Sequence, residues 1–157
     1  MTGMQKYERA RRFLREPQEA ARELAIRMEQ LRRWKETAER TTAELGRERV
    51  QSQAASRVES CAVEIASLEE EIRAAREWSH ALYERQEKVL RRVGEARLVE
   101  VLRLYYQCSF TWSETACHMG YSERQIQRLH TEALARVEEI LLEEEKQAAA
   151  PAVQFAG

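Results

Sequence analysis

The stretch TWSETACHMGYSERQIQRLHT at residues 111–131 decides how the last third of the chain folds. It contains two helix-start signals, Thr111 with Glu114 and Ser122 with Gln125. At this spacing the hydroxyl accepts a hydrogen bond from an amide of the first turn, and the longer side chain reaches back to the first residue's own amide. The stretch therefore predicts a short helix, a turn and a longer helix, which is the order of a helix-turn-helix.

The residues between and after the two signals fit this prediction. Gly120 can adopt the positive φ that a tight turn requires. Ala116 is small, as it must be where two helices approach closely, and Ile126 falls on the inward face of the second helix. Further predicted members of this core are Leu102, Tyr105, Phe110, Trp112, Met119 and Leu129.

The residues left on the outer side of the motif are polar and lie near the start of the second helix. A recognition helix contacts base edges with this part, where Arg suits guanine and Gln suits adenine. A capped helix N-terminus also offers backbone amides to phosphates. The predicted DNA-binding residues are Thr111, Ser122, Glu123, Arg124, Gln125, Gln127, Arg128 and Thr131.

A plainer interpretation of this face is a solvated surface of ion pairs. Arg128 lies one turn after Arg124 and one turn before Glu132, a spacing that suits such pairs, and Glu123 is a further partner. The agreement of two capping boxes, a small residue, a glycine and an inward apolar pair favours DNA binding.

Upstream of the motif, a break at Gly94 precedes a core helix predicted over 95–106. Before that break, apolar residues recur with nearly heptad spacing in two long segments, which predicts two helices with narrow seams. The first seam is Leu24, Met28, Leu31, Ala38 and Leu45, and the second is Val58, Ala62, Ile65, Leu68, Ile72, Ala75, Leu82 and Val89.

The limits of these two helices follow from breaker residues. Pro17 is expected in the first turn of the first long helix, where proline is tolerated best, after a short basic helix over 4–16. Gly46 is a plausible stop, and 47–56 is predicted to be a polar connection before a second helix from Ser56 to Arg92. Two long helices joined in this way are expected to form an antiparallel hairpin.

The predicted fold class is therefore all-α, with a long antiparallel helical hairpin, or coiled coil, followed by a helix-turn-helix head. The predicted divisions are a basic N-terminal segment at 1–16, the hairpin at 17–93, the DNA-binding head at 94–142 and a disordered tail at 143–157. A two-helix hairpin buries little surface, so we expect it to pair with a second chain as a homodimer.

Composition limits the classes of function. The 157 residues carry a net charge of −1, which by itself indicates no polyanionic partner, although residues 1–49 carry 13 Lys and Arg against 9 Glu. Three cysteines form no CxxC pair, and no apolar run approaches the length of a membrane span, which indicates a cytoplasmic protein with no membrane partner.

Chemistry-bearing residues are few. Cys108, Cys117, His118 and His130 lie close in sequence, but their spacing fits no common zinc pattern. We expect Cys117 to face the core and both histidines to lie on the surface. No phosphate loop or nucleophile motif is present, so the sequence predicts no enzyme, no catalytic residue, no cofactor and no metal.

The segment TWSETACHMGYSERQIQRLHTEAL, residues 111–134, resembles the region-4 helix-turn-helix of bacterial sigma factors, in the form found in small phage-encoded regulators. The resemblance extends through LVEVLRLYYQCSFTW before it and through RVQSQAASRVE and IASLEEEI further upstream. The resemblance covers residues 5–140, most specifically 98–137. The phage-encoded regulators concerned are similar to the RinA and ArpU late-gene activators.

This resemblance implies a sequence-specific regulator of phage or prophage late genes that binds double-stranded DNA in the bacterial cytoplasm and activates by contacting host RNA polymerase. Its recognition residues fall on Ser122, Arg124, Gln125, Gln127 and Arg128. Two alternatives stay open: a DNA-recognition subunit of a phage packaging motor, and a sigma-like adaptor that binds polymerase without reading DNA. A dimer favours the regulator, and a ring of many copies favours the packaging subunit.

Overall fold

The computed structural model of the protein describes residues 6–45 and 51–150. Every regular element within these residues is helical, so the all-α prediction is confirmed. The elements are α1 (Glu8–Leu45), α2 (Gln51–Val93), α3 (Ala96–Leu102), a π-helical segment (Arg103–Gln107), α4 (Trp112–Met119) and α5 (Glu123–Ala149). None of the helices in the described part of the chain combines the length and apolar character needed to span a lipid bilayer.

The chain divides into two compact units whose limits differ from the predicted ones. The first comprises Met1–Gln18 and Leu82–Gly157, and the second comprises Glu19–Ala81. The start of α1 and the end of α2 therefore belong with α3, α4 and α5 instead of with the middle of their own helices. The heptad pattern continues across these limits without a change, which is why it does not reveal them.

A large apolar core explains this division. It is built in the first unit from residues far apart in the sequence, with two or more buried members from each of the long helices and from the α3 region. Its buried members are Ala10, Phe13, Leu14, Val89, Leu90, Val93, Leu98, Leu102, Tyr106, Ala133, Leu134, Val137, Ile140 and Leu141. Burial of that much apolar surface is the main force that holds the unit together.

The expected helix break before Pro17 is wrong, because α1 continues through this residue. A proline inside a helix removes one backbone hydrogen bond and costs about 3 kcal/mol. The surrounding contacts offset this cost. Phe13 and Leu14 are buried in the core just before the proline, and the Leu14 carbonyl accepts a hydrogen bond from Gln86 Nε2 at 3.1 Å.

Two further limits differ from the prediction. Helix α2 begins at Gln51, so the part of the predicted polar connection from 51 onward is wrong, and Gly46 lies outside the described residues. Helix α5 continues to Ala149, so the tail predicted from 143 is helical up to that residue. Residues 151–157 of that predicted tail lie outside the described part. The break at Gly94 is confirmed, with a φ of 72° at this residue.

Two ion pairs join α1 and α2 within the second unit. Arg27 pairs with Glu71 at 4.0 Å, and Lys35 pairs with Glu69 at 3.7 Å. The later residue of α1 pairs with the earlier residue of α2, which is the order expected for antiparallel helices.

The predicted seams are only partly covered within the second unit. Leu68 and Ile72 are buried, and Leu24 and Leu31 are half-buried. Met28 and Ala62 are exposed, and Cys61 is buried in the place expected for Ala62. The Leu45 side chain lies outside the described residues.

Candidate nucleic-acid interface

The N-terminus of α4 is capped as the sequence predicts. Glu114 N donates to Thr111 Oγ1 at 3.1 Å, and Thr111 N donates to Glu114 Oε1 at 3.2 Å. Thr111 is in an extended conformation and is exposed, so α4 starts abruptly at the surface. The other first-turn amides of a helix have no acceptor within the helix, and such amides can bind anions.

A left-handed turn separates α4 from α5. Gly120 has a φ of 74°, which a side chain would strain, and both Gly120 N and Tyr121 N donate to the Ala116 carbonyl, at 2.9 and 3.1 Å. Ser122 then begins α5. The prediction of a two-turn helix, a glycine turn and a longer helix is confirmed for these local elements.

The second capping box changes the role of Gln125. Gln125 N donates to Ser122 Oγ at 3.2 Å, and Ser122 N donates to Gln125 Oε1 at 2.9 Å. The Gln125 carbonyl oxygen is thus engaged in holding the helix start, and only its amide NH₂ group is left to contact a ligand. Thr131 is similarly engaged, since its hydroxyl donates to the Gln127 carbonyl one turn earlier at 3.0 Å.

The angle between α4 and α5 is held by a small core. Val101 of α3, Ala116 and Ile126 are its buried members. Half-buried Trp112, Met119, Tyr121 and Leu129 pack around them. Leu102 was expected in this core but lies in the larger one, because α3 has two buried faces and Val101 occupies the face toward α4.

All eight predicted DNA-binding residues are exposed. Thr111 caps α4, Ser122 caps α5, and the other six lie on the first three turns of α5. Arg124 and Arg128 carry the positive charge of this surface. In the described part of the chain neither arginine forms an ion pair, so the pairs with Glu123 and Glu132 that the alternative interpretation requires are not made.

An aromatic cluster packs against Trp112 of α4, and the sequence predicts only part of it. Tyr105 stacks on Trp112, with ring centroids 4.1 Å apart and planes 11° from parallel. The Trp112 ring meets the edge of His130 at 4.7 Å. This cluster joins the segment before α4 to the N-terminal third of α5, and it packs against the first turn of α4 at Trp112.

His130 was expected on the surface, and this is wrong. It is buried, and its Nε2 lies 2.9 Å from the hydroxyl of Tyr106. Burial, with a smaller contribution from Arg11 and Arg15, lowers the pKa of His130 to about 4, so the ring is neutral at pH 7. Burial likewise raises the pKa of Tyr106 to about 12. Tyr106 lies in the π-helical segment, which no sequence pattern predicts.

The π-helical segment at Arg103–Gln107 is held by a polar network. Arg103 makes two hydrogen bonds to the Glu87 carboxylate, at 2.6 and 2.8 Å, and these bonds hold the pKa of Glu87 below its usual range. Gln107 Nε2 donates to buried Gln86 at 3.0 Å. Single-turn π segments often occur at functional sites. Tyr106 of this segment and Trp112 of α4 both contact the ring of His130.

The acidic end of α5 is neutralised by arginines of the first unit. Glu143 and Glu144 pair with Arg92 at 2.8 and 3.3 Å, and Glu145 pairs with Arg9 at 3.4 Å. The opposite end of α5 carries Arg124 and Arg128. Three glutamates near the end of α5 are thus paired, whereas Arg124 and Arg128 near its start form no ion pair within the described residues.

The cysteine positions correct a second prediction. Cys117 was expected to face the core but is exposed, and buried Thr115 takes that position, with its hydroxyl donating to the Thr111 carbonyl at 2.8 Å. His118 is exposed as predicted and contacts Phe110 edge-on. Within residues 6–45 and 51–150, no group of three or more His, Cys or Glu side chains could hold a metal ion.

The chain matches no protein-family model, no curated protein and no solved structure in the comparisons made with known proteins.

Proposed function

We propose that the protein is a sequence-specific DNA-binding regulator of transcription, in which α4 and α5 form a helix-turn-helix and α5 is the recognition helix. The observation that carries this proposal is the surface at the start of α5. Arg124 and Arg128 stand there exposed and without ion pairs on a helix whose other side is buried. Two guanidinium groups one turn apart suit guanine edges in the major groove.

The rigidity of the supporting elements favours the same function. Base reading requires side chains that are positioned to within about half an ångström by the residues behind them. Ile126 and Ala133 are completely buried on the inner side of α5, and both helix starts are capped. Gln127 is free of the capping box that engages Gln125, so we assign adenine contact to Gln127 and helix capping to Gln125.

The regulated genes and the partner are inferred from the resemblance to sigma region 4 and to the RinA and ArpU activators. On that basis the protein acts on late genes of a phage or prophage, in the cytoplasm of the bacterial host, and activates them by contacting RNA polymerase. We further propose that it acts as a dimer through an antiparallel coiled-coil hairpin formed by α1 and α2, because two half-sites give the affinity that one recognition helix lacks.

The experiment is selection of bound duplexes from a randomised DNA pool, followed by sequencing. We would compare the wild type with Arg124→Ala/Arg128→Ala and with Arg136→Ala, a control that removes an exposed arginine from a later turn of the same helix. Each lost base contact is expected to cost about 1–3 kcal/mol of discrimination. The double variant should therefore lose the enriched motif, and the control should keep it.

Two results would contradict the proposal. If the wild type enriches no motif, the protein does not read DNA sequence, and retention of the motif by the double variant would show that another surface reads it. Copurification with host polymerase in the first case would favour the adaptor. A ring of many copies in sedimentation equilibrium would favour the packaging subunit.

A further inference from the structure

The basic start of α1 runs alongside α5 in the opposite direction. Ala10 N donates to Glu138 Oε2 at 2.7 Å, just past the middle of α5. Five residues later on α1, the charge of Arg15 contributes to the lowered pKa of His130, which lies in the N-terminal third of α5. Successive turns of α1 therefore approach the N-terminus of α5, where Arg124 lies.

The next turn of α1 reaches the start of α4. The Gln18 amide donates to the hydroxyl of Ser109, which lies two residues before the capping residue Thr111. Arg15 is one turn before Gln18 on the same helix, so its Cβ lies about 5–6 Å from that of Gln18. Gln18 therefore lies beside the segment that leads into α4, and Arg15 precedes Gln18 by one turn of α1.

The charge of this part of α1 is strongly positive. Residues 6–16 carry five cations, Lys6, Arg9, Arg11, Arg12 and Arg15, against Glu8 and Glu16. Arg12 and Arg15 are exposed and form no ion pair with any residue that the structure describes. Arg9, in contrast, is engaged by Glu145.

We propose that Arg12 and Arg15 form a second DNA contact, which binds the phosphate backbone beside the sequence read by α5. This inference rests on the proposed function. The guanidinium group matches phosphate oxygens with two parallel hydrogen bonds. Phosphate contacts supply affinity and set the register of the protein on the duplex without reading sequence. The two arginines would therefore strengthen binding to every sequence equally.

The test is the salt dependence of binding to two labelled duplexes, one carrying the selected motif and one of scrambled sequence. The variants are Arg12→Ala/Arg15→Ala and Arg12→Lys/Arg15→Lys, with Arg40→Ala/Arg57→Ala as a control that removes two exposed arginines from the other compact unit. Each phosphate contact contributes about 0.9 to the slope of log K against log salt.

We expect the alanine pair to lower that slope by about 2 and to weaken binding to both duplexes by roughly tenfold or more per contact at 50 mM salt. The preference for the motif should not change, and the lysine pair should keep most of the slope. If Arg12→Ala/Arg15→Ala keeps the wild-type slope, or if the control variant loses as much slope, the proposed second DNA contact is wrong but the proposed function is not affected. A wild type that binds neither duplex at 20 mM salt overturns both this proposal and the proposed function.

Discussion

The two compact units of the chain use the same helices in different ways. In the first, apolar residues from α1, α2, α3 and α5 meet in one core, and residues such as Leu134 and Val137 are almost completely buried. In the second, Glu19–Ala81, large apolar residues remain exposed. Ile26, Val63 and Trp78 each keep more than half of their surface accessible. Periodicity alone therefore does not indicate how much core a helix has.

The ion pairs of the two units differ in the same sense. In the second unit, Arg32 and Arg33 bind Glu29 within one helix, at 2.7 and 3.1 Å, and hold its pKa at about 2. These side chains are solvated, and such pairs stabilise little beyond their own helix. In the first unit, Arg103 binds Glu87 from another element. The second unit also has ion pairs between α1 and α2, but these are longer, at 3.7 and 4.0 Å. The two short bonds from Arg103 to Glu87 restrain the π-helical segment more closely.

The largest effect that separates the units is expected from truncating the core. Leu134→Ala removes a buried side chain, which should lower the free energy of unfolding by about 3 kcal/mol. Leu31→Ala removes a half-buried side chain in the second unit and should cost about 1 kcal/mol. Urea unfolding followed by circular dichroism measures both. Equal losses would show that the second unit is covered as well as the first, for instance by a partner chain.

A second effect is confined to the first unit and depends on pH. The pKa of His130 is about 4 in the folded protein and 6.5 in the unfolded chain. The stability is therefore full above about pH 6.5. It falls as the pH drops toward 4, because only the unfolded chain takes up the proton. Between pH 7.5 and 5 this residue should cost the wild type about 2 kcal/mol.

The matched variant for that measurement is His130→Gln, which cannot titrate in this range but can still hydrogen bond to Tyr106. Its stability should fall less over the same interval. Parallel curves for the wild type and the variant would show that the pKa of His130 is the same in the folded and the unfolded protein.

The smallest effect compares two serines of the two units. Ser122→Ala removes the cap of α5 and should cost about 1 kcal/mol. Ser67→Ala, at an exposed position within α2, should instead stabilise slightly, since alanine is the better helix former. Thermal unfolding of the two variants gives the comparison. A neutral Ser122→Ala would mean that the core, and not the cap, fixes the start of α5.

Much of the candidate site is predictable from the sequence because its signals are local. Capping boxes join residues three apart, and a glycine turn depends on one φ value, so Thr111, Ser122 and Gly120 were assigned correctly. The same spacing predicts that the Gln125 carbonyl oxygen accepts from the Ser122 amide, and the structure confirms this bond at 2.9 Å. The burial of Thr115 in place of Cys117 was not predictable, because it depends on how α4 packs against the rest of the unit.

The sequence by itself determined an all-helical chain, the break at Gly94 and the two capped helix starts, since these depend on neighbours within one or two turns. The tertiary structure alone decided that α1 continues through Pro17 and that His130 is buried. It also decided that Cys117 is exposed and that Glu143 is paired. Each of these depends on contacts between residues far apart in the chain, such as Glu143 with Arg92, 51 positions away. Periodicity gives a helix its apolar side, but only the packed core decides which part of that side is covered.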